Sequence, residues 1–156
     1  MLDGMRLALS LVLLAGCLVP PSDPPPPTYD PGDITTPIGD PPGCHQDADC
    51  GAAKVCGRDR ACYPPENIGT ARVTWTLHGS PASVSTCAAM PELLLQFRGP
   101  NLLSFGYAPV PCENGSFFVD KFPTQYTSVE LGPKDSATYS TAEIDRETGE
   151  ALVLLP

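Results

Sequence analysis

The sequence predicts an all-β protein: a small antiparallel β-sandwich, preceded by a disulfide-rich loop module and a disordered Pro-rich linker. Three observations carry that prediction. Ten of the 20 prolines crowd between Pro20 and Pro42, against an average usage of about 5%. Cys44, Cys50, Cys56 and Cys62 recur at a constant interval. Beyond Pro64-Pro65 the chain turns to short alternating apolar runs separated by Gly, Pro and Asn, and no segment shows a helical period. With 156 residues there is room for one domain, or for a small one beside a very small one.

The N-terminal element reads as an export signal. Arg6 precedes an apolar run over residues 7–14, and Ala15-Gly16-Cys17 follows. A charged start, a short apolar core and small residues at its end make a secretory signal. The run is shorter than the about 20 apolar residues a membrane-spanning helix needs. Asp3 stands where such signals carry positive charge, so Met5 is a candidate start beside Met1. The stretch "LLAGC" resembles the lipobox of bacterial lipoproteins. That resemblance implies a signal peptide over residues 1–16, cleaved before Cys17, and acylation (palmitate) of Cys17 through its sulfur. Leu18, where an aspartate would retain such a protein at the inner membrane, implies the outer membrane, facing the periplasm or the cell surface. Acyl chains contribute about 0.8 kcal/mol per buried methylene, so three of them hold a protein firmly to a bilayer.

Residues 17–43 are then the lipidated cysteine and a Pro-rich linker. Proline fixes φ and removes a donor, so Pro24 to Pro27 read as polyproline II. At about 3.1 Å per residue, the 26 residues from Leu18 to Gly43 reach at most roughly 80 Å. The net charge of -9 is scattered along the chain. Binding nucleic acid needs a basic patch to displace counterions, and anionic lipid attracts basic segments. The expected partners are therefore the membrane, through the lipid anchor, and an envelope protein or polysaccharide.

Residues 44–63 hold few aliphatic side chains, so this module cannot bury a core and must be stapled. A bridge closing about a dozen residues contributes about 3 kcal/mol in the chain-entropy model. Four cysteines allow three pairings, among which the sequence does not choose. Zinc is the rival, but its ligands usually pair two to four residues apart. Five intervening residues throughout, in an exported chain, favour disulfides. The segment resembles the small cysteine-rich modules of Dickkopf-type domains and of extracytoplasmic bacterial lipoproteins. That resemblance implies the interlaced pairing Cys44–Cys56 and Cys50–Cys62. His45, Asp47 and Asp49 read as exposed polar residues on the staple rather than metal ligands or acid/base groups, and no calcium-loop spacing is present.

Residues 70–156 carry the sandwich. In "RVTWTLHG", Val73, Trp75 and Leu77 share one face and Arg72, Thr74, Thr76 and His78 the other, as in a half-buried strand. "ELLLQFRG" puts Leu93, Leu95 and Phe97 in phase. "SFFVDKF" and "QYTSVELG" supply two more strands, the latter with Thr127, Val129 and Leu131 opposite Tyr126, Ser128 and Glu130. Residues 136–156 read as a final hairpin turning near Glu147-Thr148-Gly149, and Glu113-Asn114-Gly115-Ser116 as a turn of the Asn-Gly kind. Short strands with such turns suggest a sandwich. The chain has seven cysteines; with Cys17 lipidated, Cys87 and Cys112 complete three bridges, the last closing about 26 residues for about 3–4 kcal/mol. The strand order resembles the prealbumin-like or carboxypeptidase-regulatory-like sandwiches, in which a "P-x-G-x-Y-x-V" segment leads into a strand. Gln125 stands here where the glycine is expected, with a shorter spacing. The resemblance implies a binding, spacing or stability module.

No catalytic constellation is legible: no nucleophile elbow, zinc-protease motif or phosphate loop. His45 and His78 are the two imidazoles available as neutral-pH bases, and His78 reads as an exposed turn residue beside Gly79. Trp75, in phase with Val73 and Leu77, reads as core rather than as a sugar-stacking surface. Phe105 and Tyr107, set among prolines, read as packing rather than as an exposed patch. The expectation is a non-enzymatic, lipid-anchored envelope lipoprotein without cofactor or metal, presenting its sandwich for binding. The alternatives are a structural spacer subunit, and a carbohydrate-binding module or unrecognised hydrolase. An exposed aromatic strip would favour carbohydrate, a bare apolar sheet edge would favour protein pairing, and a cleft of pKa-shifted acids would favour an enzyme.

Overall fold

The computed structural model describes residues 43–156. The signal peptide, Cys17 and the linker up to residue 42 lie outside the described residues. The first described unit is the cysteine-rich module. Its β1 (Val55–Cys56) and β2 (Cys62–Tyr63) pair antiparallel, with Cys56 opposite Cys62. Cys44 is bonded to Cys56 and Cys50 to Cys62, each across 12 residues. The module buries Cys44 and Cys56 but no large aliphatic side chain, so the bridges take the place of a core.

Eight strands follow: β3 (Ile68–Leu77), β4 (Ser80–Pro81), β5 (Glu92–Arg98), β6 (Ser104–Pro111), β7 (Ser116–Pro123), β8 (Ser128–Pro133), β9 (Ser140–Glu143) and β10 (Glu150–Leu155). They form two sheets packed face to face. In one, β3 is flanked by β10 on one side and by β7 and the short β4 on the other; the second has the order β6-β5-β8-β9. Period-two alternation turns one row of each strand inward. Ala71, Val73, Trp75 and Leu77 of β3 meet Leu93, Leu95 and Phe97 of β5, with Val129 and Leu131 of β8 and Val153 and Leu155 of β10, in a single buried cluster. Burying each Val, Leu or Phe among them stabilises the fold by about 1.5–3 kcal/mol.

Trp75 is 2% exposed, and its indole Nε1 donates to the Cys112 carbonyl at 2.8 Å. Cys112 is itself bonded to Cys87, so a buried polar group is satisfied at the point where the bridge ties the β4–β5 connection to the end of β6. Phe105 and Tyr107 are buried. Phe105 stacks on Phe97 at 5.0 Å between ring centroids and meets Tyr126 edge-on at 4.7 Å. They lie on β6, a strand the sequence reading did not include because Pro109 and Pro111 interrupt its pattern. β6 is a sheet edge, where a proline's missing donor leaves no ladder bond unmade.

One sequence expectation is corrected. Residues 136–156 do not form a hairpin. β9 pairs antiparallel with β8, whereas β10 crosses to the other sheet and runs parallel to β3, Ala151 beside Val73 and Leu155 beside Leu77. The turn itself is where it was expected: Asp145 Oδ1 accepts from the amides of Glu147 and Thr148 at 2.9 Å, and Gly149 has φ +73, where a Cβ would run into the Thr70 carbonyl. The Glu113–Ser116 turn is also where it was expected, with Gly115 at φ +66, and it leads from β6 in one sheet to β7 in the other. Two strong turns therefore serve as corners between sheets. A tight hairpin does join β3 to β4 through His78 (φ 49) and Gly79 (φ 76), the double positive φ of a type I′ turn.

Candidate interaction face

The strands that enclose the core also have outward faces, and these differ. On the sheet β6-β5-β8-β9 the outward side chains include Arg98, whose Nη2 reaches Glu130 Oε2 at 2.7 Å; at the other end of β5, Lys134 Nζ reaches Glu92 at 2.9 Å. On the other sheet the registers of β10, β3, β7 and β4 set three rows side by side. They are Glu150–Arg72–Phe118, Leu152–Thr74–Ser116 and Leu154–Thr76–Pro81. Arg72 lies over the Phe118 ring at 5.4 Å, which closes off that end. The other two rows are apolar at the β10 margin: Leu152 is 57% exposed and Leu154 64%. Thr74 Oγ1 donates to the Ala151 carbonyl at 3.3 Å, whereas Thr76 Oγ1 is buried without a hydrogen-bond partner.

β10 is also an edge. Among the described residues it pairs as a strand with β3 alone; on its far side the Glu150 carbonyl accepts from the Asp145 amide at 2.8 Å, and the open stretch is at Leu152 and Leu154. Natural edge strands are usually blunted by lysine, proline or a bulge. Within Glu150–Leu155 none of these occurs, and the one charge is Glu150. Val84, Leu102 and Leu103 are exposed as well, but they stand in connecting loops, and scattered exposed apolar residues are ordinary. Leu152 and Leu154 differ in being neighbours on one strand face beside an open edge. The sequence carried a signal for this: in "EALVLL" both faces are apolar after the first residue, which a one-sided strand does not require.

The residues singled out in the cysteine-rich module are elsewhere, and their roles are structural. Asp49 accepts from the amides of His45 and Gln46 at 2.8 and 3.1 Å, and these bonds hold its carboxyl below the usual carboxylate range. Asp47 Oδ1 accepts from Lys121 Nζ at 2.8 Å and from the Cys56 amide at 3.0 Å, which lower it too, the lysine most. His45 and His78 are both exposed, on the module and in the β3–β4 turn, at different places in the fold.

Lys121 belongs to a junction that sequence reasoning missed. In β7 the pairing with β3 shifts register between Val119 and Phe122, and Lys121 takes φ 46. Such a bulge re-aims side chains, and here Asp120 and Lys121 meet the module. Arg58 Nε donates to Asp120 at 2.6 Å, and the Arg58 amide donates to the Lys121 carbonyl at 3.1 Å. Asp59 Oδ2 accepts from the hydroxyls of Tyr63, at 2.5 Å, and Tyr126, at 2.9 Å. Gln125 Nε2 donates to the Tyr63 hydroxyl at 2.7 Å. Burial first, and the Asp59 hydrogen bonds second, push both phenols above their ordinary range. The module is thereby docked at the end of the sandwich where β3 begins. β10 finishes at the other end, where the His78 amide donates to the Leu155 carbonyl at 3.0 Å.

No protein-family model, no curated protein and no solved structure matches this chain.

Proposed function

We propose that this chain is a non-enzymatic envelope lipoprotein, anchored in the outer membrane through Cys17, whose sandwich binds a partner protein. The partner adds a strand to the open edge of β10 and packs side chains on Leu152 and Leu154. The observation that carries this reading is the bare apolar edge, because main-chain pairing supplies affinity and adjacent side-chain sites supply specificity. The polarity of the fold agrees with it. A tether entering at Cys44 arrives at the module end, and Leu154, in the row it forms with Thr76 and Pro81, lies towards the opposite end. The carbohydrate reading lacks such support, since Trp75 and the Phe97–Phe105–Tyr126 group belong to the core.

The test is a paired substitution, Leu152→Lys with Leu154→Lys. Both side chains are exposed, so stability changes little, within about 0.5 kcal/mol each. Crosslinking in intact envelopes should give a discrete adduct with the natural chain and lose it with the variant. An adduct that persists in the variant places the interface elsewhere and overturns the reading.

A further inference from the structure

The two bridges of the cysteine-rich module share one small volume. The Sγ atoms of Cys44, Cys50 and Cys62 lie within 4.8 Å of one another, and Cys56 is bonded to Cys44. The backbone beneath them links the two bridges: Cys56 faces Cys62 across the β1–β2 ladder, and within each bridge the Cα atoms are 5.7 and 5.6 Å apart. As disulfides these sulfurs are not thiolates and hold no metal. We propose that when a dithiol reductant opens both bridges, Cys44, Cys50, Cys56 and Cys62 become a tetrathiolate site for a single zinc ion.

The geometry requires movement chiefly of Cys56. Zinc–sulfur bonds of about 2.3 Å in a tetrahedron set the sulfurs roughly 3.8 Å apart. The Cys44 sulfur already lies within 4.8 Å of those of Cys50 and Cys62, and Cys56, once freed from Cys44, swings in by side-chain rotation to supply the fourth ligand. The intervals of five residues, unusual for zinc, matter less once the fold has gathered the four side chains. Lys54, Arg58 and Arg60 lie between the later cysteines, and neighbouring cations favour thiolate. The chemistry balances. Each bridge takes two electrons and two protons from the dithiol, which closes to its own disulfide, and the four thiols release four protons as they bind zinc. One set of four residues then holds the module in either redox state, with its contacts to Asp120 and Tyr126 kept.

The test uses the full chain, reduced with a dithiol, freed of it without air, and titrated with Co²⁺ as the probe. One Co²⁺ per chain is expected, with thiolate charge-transfer absorption and the visible bands of a tetrahedral ion, displaced by Zn²⁺. Cys50→Ser should weaken binding at least about 100-fold, since even loss of an outer-shell partner can cost that much; Cys87→Ser with Cys112→Ser should leave it unchanged. Equal binding by Cys50→Ser, or no tetrahedral signal at all, overturns the proposal. Because a serine variant can lose its fold, amide exchange over residues 44–63 of the reduced natural chain is read as well. One equivalent of Zn²⁺ should restore its protection, and unchanged exchange counts against the site.

Discussion

Residues 44–63 and residues 68–155 lie against each other and are held by different forces. The sandwich buries Val73, Leu93, Leu95, Phe97, Val129 and Val153 completely, so its stability resides in the folded state. The module buries almost nothing but its own sulfurs, and its bridges act largely by shrinking the unfolded ensemble. The seam between the two is polar, built on Asp47, Asp59 and Asp120. The sandwich core tolerates no cavity and adds one bridge, Cys87–Cys112, to its apolar packing, whereas the stapled loop tolerates exposure but depends on its bridges or on a metal in their place. The difference teaches that the two parts can be broken separately.

The largest separation should come from the core. Phe97→Ala removes a fully buried ring and should cost the sandwich about 3–5 kcal/mol, measured by urea unfolding followed at Trp75. Next comes Cys44→Ala with Cys56→Ala. Opening a bridge across 12 residues removes about 3 kcal/mol, but from the module alone. Amide exchange should accelerate over residues 44–63 and stay slow in β3 and β5. Equal acceleration in both would mean that the two parts unfold as one.

Asp59→Asn sharpens the comparison at the seam. The substitution removes a charged acceptor from two tyrosine hydroxyls, a loss of about 1–3 kcal/mol. It should appear as faster exchange in β2 without a change in β5. Smallest are the pH effects, which approach the seam from both sides. The Asp47 carboxyl is lowered in the folded protein. Its contribution is therefore present above the unfolded value of about 3.9 and lost as pH falls through the folded value. Tyr63 and Tyr126 are raised, so theirs is present below about pH 10 and lost at higher pH. The Cys56 amide, which donates to Asp47, should lose protection on the acid side, and phenolate absorbance of both tyrosines should lag on the alkaline side.

Much of the fold was legible because strand patterning is local. The alternation in "RVTWTL" and "ELLLQF" is matched by burial of Val73, Trp75 and Leu77 and of Leu93, Leu95 and Phe97. What was not legible is long-range. The bonds joining Tyr63 to Gln125 and Tyr126 to Asp59 span more than sixty positions, and no spacing rule connects such residues. β6 was hidden by its prolines, whose cost depends on whether a strand is central or at an edge, and that is decided only by its neighbours. The apolar face of Leu152 and Leu154 could have been found from the two-sided character of "EALVLL", but not that it borders an open edge.

By itself, then, the sequence determined where the chain changes character, which side chains face inward on each regular strand, and that the segment around Cys44–Cys62 must be cross-linked to hold a shape. Those follow from composition and a period of two residues, which act within a few bonds. The tertiary structure decided which sheet each strand joins, that β10 runs parallel to β3 instead of returning against β9, and that the module sits on the bulge of β7. A strong turn reverses the chain but does not choose its next partner. That choice belongs to the burial of the opposite face, because Ala151, Val153 and Leu155 reach the common core only from beside β3.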